Sequence, residues 1–143
     1  MQSLHSTTVQ DRGDPRHLRT LFERASQLSR EHRLRSVFVG VAGPEGDLLV
    51  RDFLDFVEAE LRVEDVVFRL LRERAVLWLA DVDLEAAMRV MGRLYDDFAA
   101  RFPTTIGLRL ERGFHRVEPG SVPTAKDVLP LLFGPERSHP TPS

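Results

Sequence analysis

The sequence predicts an α+β domain: one antiparallel sheet packed against helices, with a further helix added at each end. Three observations predict it. Apolar residues recur at three- and four-residue steps in long stretches, short apolar or β-branched runs alternate with those stretches, and turn residues separate the two. The order is helix, then strand-helix-strand-strand-helix-strand, then a short helix. Such a split pair of βαβ units is the ferredoxin-like arrangement, with helices expected on one face of its sheet.

Each element has its own signal. Asp14 before Pro15 supplies an N-cap and a first-turn residue, and Leu18, Leu21, Phe22, Ala25 and Leu28 mark a helical face that ends near His32. Ser36 to Val41 is short and β-branched, and Gly43-Pro44-Glu45-Gly46 stops it, so a buried strand is expected. Leu49, Phe53, Phe56, Val57 and Leu61 predict the second helix. Asp65 to Leu71 and Ala75 to Ala80 read as a hairpin across Arg72-Glu73-Arg74, although its tip lacks the usual Gly or Asn. Leu84, Ala87, Met88, Met91, Leu94, Tyr95 and Phe98 form the strongest helical stripe, running to about Arg101 behind Asp83 as N-cap. Met88, Met91 and Trp78 are expected in the core. Thr104 to Leu110 predicts the last strand, and Asp127 to Phe133 a terminal helix. Residues 1–13 and 134–143 lack periodic apolar positions, so they are expected to be disordered tails around one domain at 14–133.

Composition narrows the function. The 143 residues, 42% of them hydrophobic, suit one globular core, and the absence of cysteine excludes disulfides and thiolate metal sites. No apolar stretch has the length of a membrane span and the start carries no signal-peptide core, which predicts a cytoplasmic protein. A formal charge of −2 argues against nucleic-acid binding, although every basic residue except Lys126 is Arg. His5, His17, His32, His115 and His139 show no metal-ligand spacing, and the glycines are scattered without a phosphate-cradling loop. No metal, no cofactor and no catalytic residue is expected.

The stretch from Arg62 to Arg93 resembles the GGDEF domain of diguanylate cyclases, palm-like enzymes that make cyclic di-GMP. The register is gapless: Arg69-Leu70, then Leu71-Arg72-Glu73-Arg74-Ala75 at the signature turn, then Val76 to Leu79 and the helix opening at Asp83. The likeness extends more loosely to Ser36–Val41 as first strand and Thr105-Ile106-Gly107 as fourth. In that family the two glycines of the turn admit the guanine nucleotide, and acids of the turn and first strand hold two divalent ions. Here Leu71 and Arg72 replace the glycines, Gly40 and Ala42 stand at the first-strand acid positions, and Arg74 replaces the last acid, while Glu73 survives. The resemblance with these departures implies a degenerate, non-catalytic member.

The family also carries an inhibitory site for its product, an Arg-x-x-Asp motif ending five residues before the signature. Arg62-Val63-Glu64-Asp65 has the motif and the spacing, and the register puts Arg93 where the family draws a further Arg from the following helix. Arg24 on the first helix is an additional candidate, reaching a ligand held by a second protomer. Arg forks match the O6/N7 edge of guanine and Asp accepts from its N1 and N2 hydrogens. The resemblance thus implies a cyclic di-GMP receptor, with a ligand-linked homodimer expected. Arg62 and Asp65 equally suit a helix-end cation and a strand-start anion joined by a surface salt bridge. The alternative function is a protein-interaction module of the same fold with no nucleotide ligand, a scaffold in a bacterial signalling or polarity complex, using the exposed sheet edge or the hairpin tip, where two Arg flank Glu73.

Overall fold

The computed structural model describes residues 14–71, 73–102 and 108–133. Its elements are α1 (Pro15–Glu31), β1 (Ser36–Ala42), α2 (Leu48–Glu60), β2 (Val66–Leu71), β3 (Arg74–Ala80), α3 (Leu84–Arg101), β4 (Glu111–Val117) and α4 (Ala125–Phe133). The strands form one sheet in the order β2-β3-β1-β4, each neighbouring pair antiparallel. The three long helices start where an aspartate permits: Asp14, Asp47 and Asp83 accept from the backbone N–H of Arg16, Leu49 and Ala86. Each cap satisfies a donor that the first turn leaves without a partner.

Helices cover both faces of the sheet, not one as the sequence suggested. On the first face Val37, Val39 and Val41 of β1 and Leu77 and Leu79 of β3 pack under Phe53 and Val57 of α2 and Met91, Leu94 and Phe98 of α3. On the second, Phe38, Val76 and Trp78 pack under Leu21 and Phe22 of α1 and Val128 and Leu132 of α4. Phe22 stacks on Phe38 with ring centroids 4.2 Å apart. The physical reason is legible in β1 itself. Its residues are apolar at consecutive positions, as a strand buried on both faces requires.

The last strand is also relocated. It is Glu111–Val117, and all seven of its residues register against β1. Of the expected run Thr104–Leu110, residues 104–107, including Thr105-Ile106-Gly107, lie outside the described residues, and 108–110 are irregular. An edge strand has one free side and tolerates charge there, which is why Glu111, Arg112 and Arg116 stay exposed within it. Met88 is a further correction. It is 52% exposed, whereas Ala87, Met91, Leu94 and Phe98 form the buried stripe. Trp78 is buried as expected. The tails at 1–13 and 134–143 lie outside the described residues.

His115 on β4 is paired in register with Phe38 and is half-buried, so desolvation holds its pKa below the ordinary value. The unfolded chain therefore takes up this proton first. Stability contributed by the neutral ring is complete above about pH 6.5 and is lost as pH falls toward the lower folded pKa. Urea midpoints measured across that range should fall less steeply for His115→Gln than for the parent protein.

Candidate functional site

Arg62 and Asp65 meet at the corner where α2 hands over to β2. Arg62 donates from Nε to Asp65 Oδ2 at 3.0 Å and from Nη2 to Oδ1 at 2.9 Å, a two-pronged pair. The backbone N–H of Arg62 also reaches Oδ2, at 3.3 Å. The end of β3 closes the ring: Ala80 N–H donates to Asp65 Oδ1 at 3.0 Å, and Arg62 Nη2 donates to the Ala80 carbonyl at 2.7 Å. Asp65 is consequently 3% exposed while Arg62 is 47% exposed and also faces Glu64 at 3.4 Å. The hydrogen bonds from Arg62 to Asp65 raise the arginine's pKa further, so the cation is permanent.

Arg93 lies on an exposed turn of α3, nine residues beyond its start, or about 14 Å along the axis. Among the described residues it makes no ion pair, and no hydrogen bond joins it to Arg62. Arg62 follows α2 and Arg93 lies on α3, the two helices that pack on the first face of the sheet. Arg24 is exposed on α1, in the layer on the second face, beside Thr20, Gln27 and His32. The structure therefore joins Arg62 to Asp65, leaves Arg93 without an ion-pair partner among the described residues, and puts Arg24 on the helix layer across the sheet.

The signature turn is built differently from an exposed charged tip. Leu71 is 58% exposed, and Arg72 lies outside the described residues. Glu73 is buried: its Oε2 accepts from Gly46 N–H at 2.7 Å, and its carbonyl accepts from Gly43 N–H at 2.9 Å. It braces the loop after β1, whose residue Gly46 has φ +80, a conformation open to glycine. Arg74 lies over the ring of Phe133 at 4.9 Å, and Ala75 is buried. Two residues upstream of the turn, Arg69 is 6% exposed and clamps β2 to α2 through Asp55 at 2.6 Å and Glu58 at 3.3 Å.

Position 40 stands where the family resemblance implies an acid that holds metal. A Cβ there would stand 2.7 Å from Leu132 Cβ and 3.0 Å from the Phe133 ring, because α4 is seated on this point of the sheet. Gly40 faces Gly113 across the β1–β4 pairing, so two neighbouring strands give the helix a side-chain-free seat. Sequence reasoning missed this use of the glycines; their alignment on adjacent strands was the available signal. The residues present do not fit a pair of divalent cations. Magnesium requires oxygen ligands near the substrate phosphates, yet positions 40 and 42 carry none and the Glu73 carboxylate is engaged by Gly46. Among the described residues, no group of three or more His, Asp or Glu could hold a metal ion.

No family model matches the sequence, and no curated protein matches it. Solved structures do. The chain is similar to a DGC protein from Thermotoga maritima, with a TM-score of 0.58 and 16% identity over 80% of this chain and 88% of that one. It is also similar to the GGDEF domain of TpbB (YfiN) from Pseudomonas aeruginosa, with a TM-score of 0.56 and 17% identity over 86% of this chain and 83% of that one. At these identities the likeness defines the fold. The chain has a GGDEF-like α+β fold, and none of its described helices is long and apolar enough to cross a membrane.

Proposed function

We propose that this is a non-catalytic GGDEF-like signalling domain that receives cyclic di-GMP at the Arg62–Asp65 corner, with Arg93 as a third contact. The observation that carries the reading is the pair itself. Asp65 is pinned by the Ala80 N–H on Oδ1, so it keeps its orientation when Arg62 moves, and Arg62 is half in solvent. Binding is then an exchange. Arg62 swings from Asp65 to the guanine O6/N7 edge or a phosphate, the guanine N1–H and N2–H take its place on the carboxylate, and Arg93 supplies a second cation for the ligand's paired phosphates. No buried charge is left without a partner at the end, which is the condition for such an exchange to be affordable.

The absence of turnover rests on Leu71 in place of a turn glycine, Leu132 and Phe133 over Gly40, and Glu73 engaged with Gly46. Titration calorimetry tests the receptor reading. Cyclic di-GMP should give saturable heat with the parent protein, and Arg62→Ala or Arg93→Ala should weaken binding at least about tenfold, as expected for loss of a charged hydrogen bond. Silence from the parent protein, or unchanged binding by Arg62→Ala, rejects it.

One observation favours a second reading, an interaction module without nucleotide. Leu48 is 63% exposed and Leu71 58% exposed, and both lie at the end of the sheet where β1 and the hairpin turn. Loss of partner capture by Leu48→Asp with Leu71→Asp, with nucleotide heats unchanged, would support it.

A further inference from the structure

A groove of about 1020 Å³ runs between α1 and the segment from Val122 to Leu129, on the sheet face opposite α2 and α3. Its floor is apolar, formed by Leu18, Phe22, Val122, Pro123, Ala125 and Leu129. The two walls are tied to each other by the fold. Ser26 Oγ donates to the Pro123 carbonyl at 3.2 Å, Ser29 Oγ donates to the Glu118 carbonyl at 2.9 Å, and Gly120 N–H donates to the Ser29 carbonyl at 3.0 Å. The groove is therefore formed before anything enters it, and its volume stands at the upper end of the roughly 300 to 1,000 Å³ typical of small-molecule sites. Val122, at its edge, is 53% exposed.

The charged lining selects what fits. Arg19, Glu23, Arg30 and Glu31 come from α1 and Lys126 from the opposite wall, and all five are exposed. Among the described residues none of the five has an ion-pair partner; Glu31 accepts a hydrogen bond from Gln27 at 3.3 Å. Arg19 and Arg30 are eleven residues apart, three turns of helix, so they stand in one row about 16 Å apart with Glu23 between them. Glu31 lies about a third of a turn around the axis from Arg19, on the Gln27 side. Lys126 is in the first turn of α4. There the Thr124 carbonyl accepts from Asp127 and Val128, while the N–H groups of Ala125 and Lys126 have no acceptor within the helix. Asp127, in the same turn, does not line the groove. Three cations against two carboxylates leave the lining with one surplus positive charge, and the start of α4 adds to it.

We infer that this groove binds an amphipathic monoanion, an aliphatic chain that ends in a single carboxylate. The chain lies on Leu18, Phe22 and Leu129, along a row whose arginines span about 16 Å, and the carboxylate pairs with Lys126 and the open N–H groups of α4. A cationic or neutral amphiphile lacks the complement to the surplus charge, and an anion of higher charge meets Glu23. The site requires no nucleotide, so it stands or falls separately from the receptor reading.

Calorimetric titration of the full chain with dodecanoate, held below its micelle concentration and without nucleotide, tests it. The parent protein should show saturable binding. Dodecyltrimethylammonium, which has the chain with the opposite charge, and acetate, which has the charge without the chain, should each bind at least about tenfold more weakly. Lys126→Glu should raise the dissociation constant for dodecanoate about tenfold or more, and so should Val122→Asp, which puts a carboxylate at the apolar edge. Met88→Asp is the control: position 88 is 52% exposed, but on α3, across the sheet, and dodecanoate binding should not change. Far-UV circular dichroism confirms that each variant is folded. The absence of saturable heat overturns the inference, as does equal binding of the cationic amphiphile or a folded Lys126→Glu or Val122→Asp protein that binds as the parent does. Co-flotation with phosphatidylglycerol vesicles by a chain that ignores dodecanoate overturns it too, and assigns the groove to a lipid surface.

Discussion

Gly40→Asp should lose about 4 kcal/mol of stability or fail to fold, combining overpacking with burial of a carboxylate against apolar groups. The conflict is specific. The new Cβ would stand 2.7 Å from Leu132 Cβ, an atom that every residue except glycine keeps, so shortening the leucine does not relieve it and α4 itself has to shift. Beyond Cβ the carboxylate would enter the space of the Phe133 ring, which carries Arg74 over it at 4.9 Å. Gly40→Ala isolates the packing part and should lose about 2 kcal/mol. Thermal melts of both variants, with proteolysis of the C-terminal helix as a local probe, check this. A Gly40→Asp protein with the parent melting temperature would mean that α4 does not sit where it is described here.

Asp65→Ala should lose about 2 to 3 kcal/mol, lowering the melting temperature by roughly 10 °C for a domain of this size. Asp65 accepts from Ala80 N–H, from Arg62 N–H and from two nitrogens of the Arg62 side chain, and is almost entirely buried. Removing it leaves the Ala80 N–H without its partner beneath a cation. Arg62→Ala should be milder, about 1 kcal/mol, because that side chain is half in solvent. The asymmetry is the informative outcome. Equal losses would mean that the pair acts only as a surface salt bridge, and the Ala80 connection contributes nothing. Chemical denaturation of both variants, with Asp65→Asn retaining shape without charge, separates these outcomes.

What the sequence made legible was local. The long helices carry their own period and their own capping aspartates, and Arg62 and Asp65 lie three residues apart, close enough for their pairing to be anticipated. What it concealed was set by distant chain. Among the described residues β4 pairs only with β1 and carries charge as an edge strand does, so a search for apolar runs passed over Glu111–Val117. Ala80, fifteen residues from Asp65, turns a surface pair into a buried ring. Glu73 looks like an exposed tip residue until Gly46, on another loop, is brought against it. Met88 sits one position beyond the buried stripe, and periodicity alone does not resolve a boundary that narrow.

The seat of α4 on Gly40 couples that backbone position to the helix above it. A carboxylate at this position is obstructed until the helix has left, and a helix that leaves uncovers Phe38 and Trp78 before any carboxylate has arrived. Each order of events begins with a damaged intermediate, so the two changes are locked together like a ratchet. An acidic residue at position 40 and a seated α4 therefore exclude one another, and no single substitution passes between the two arrangements.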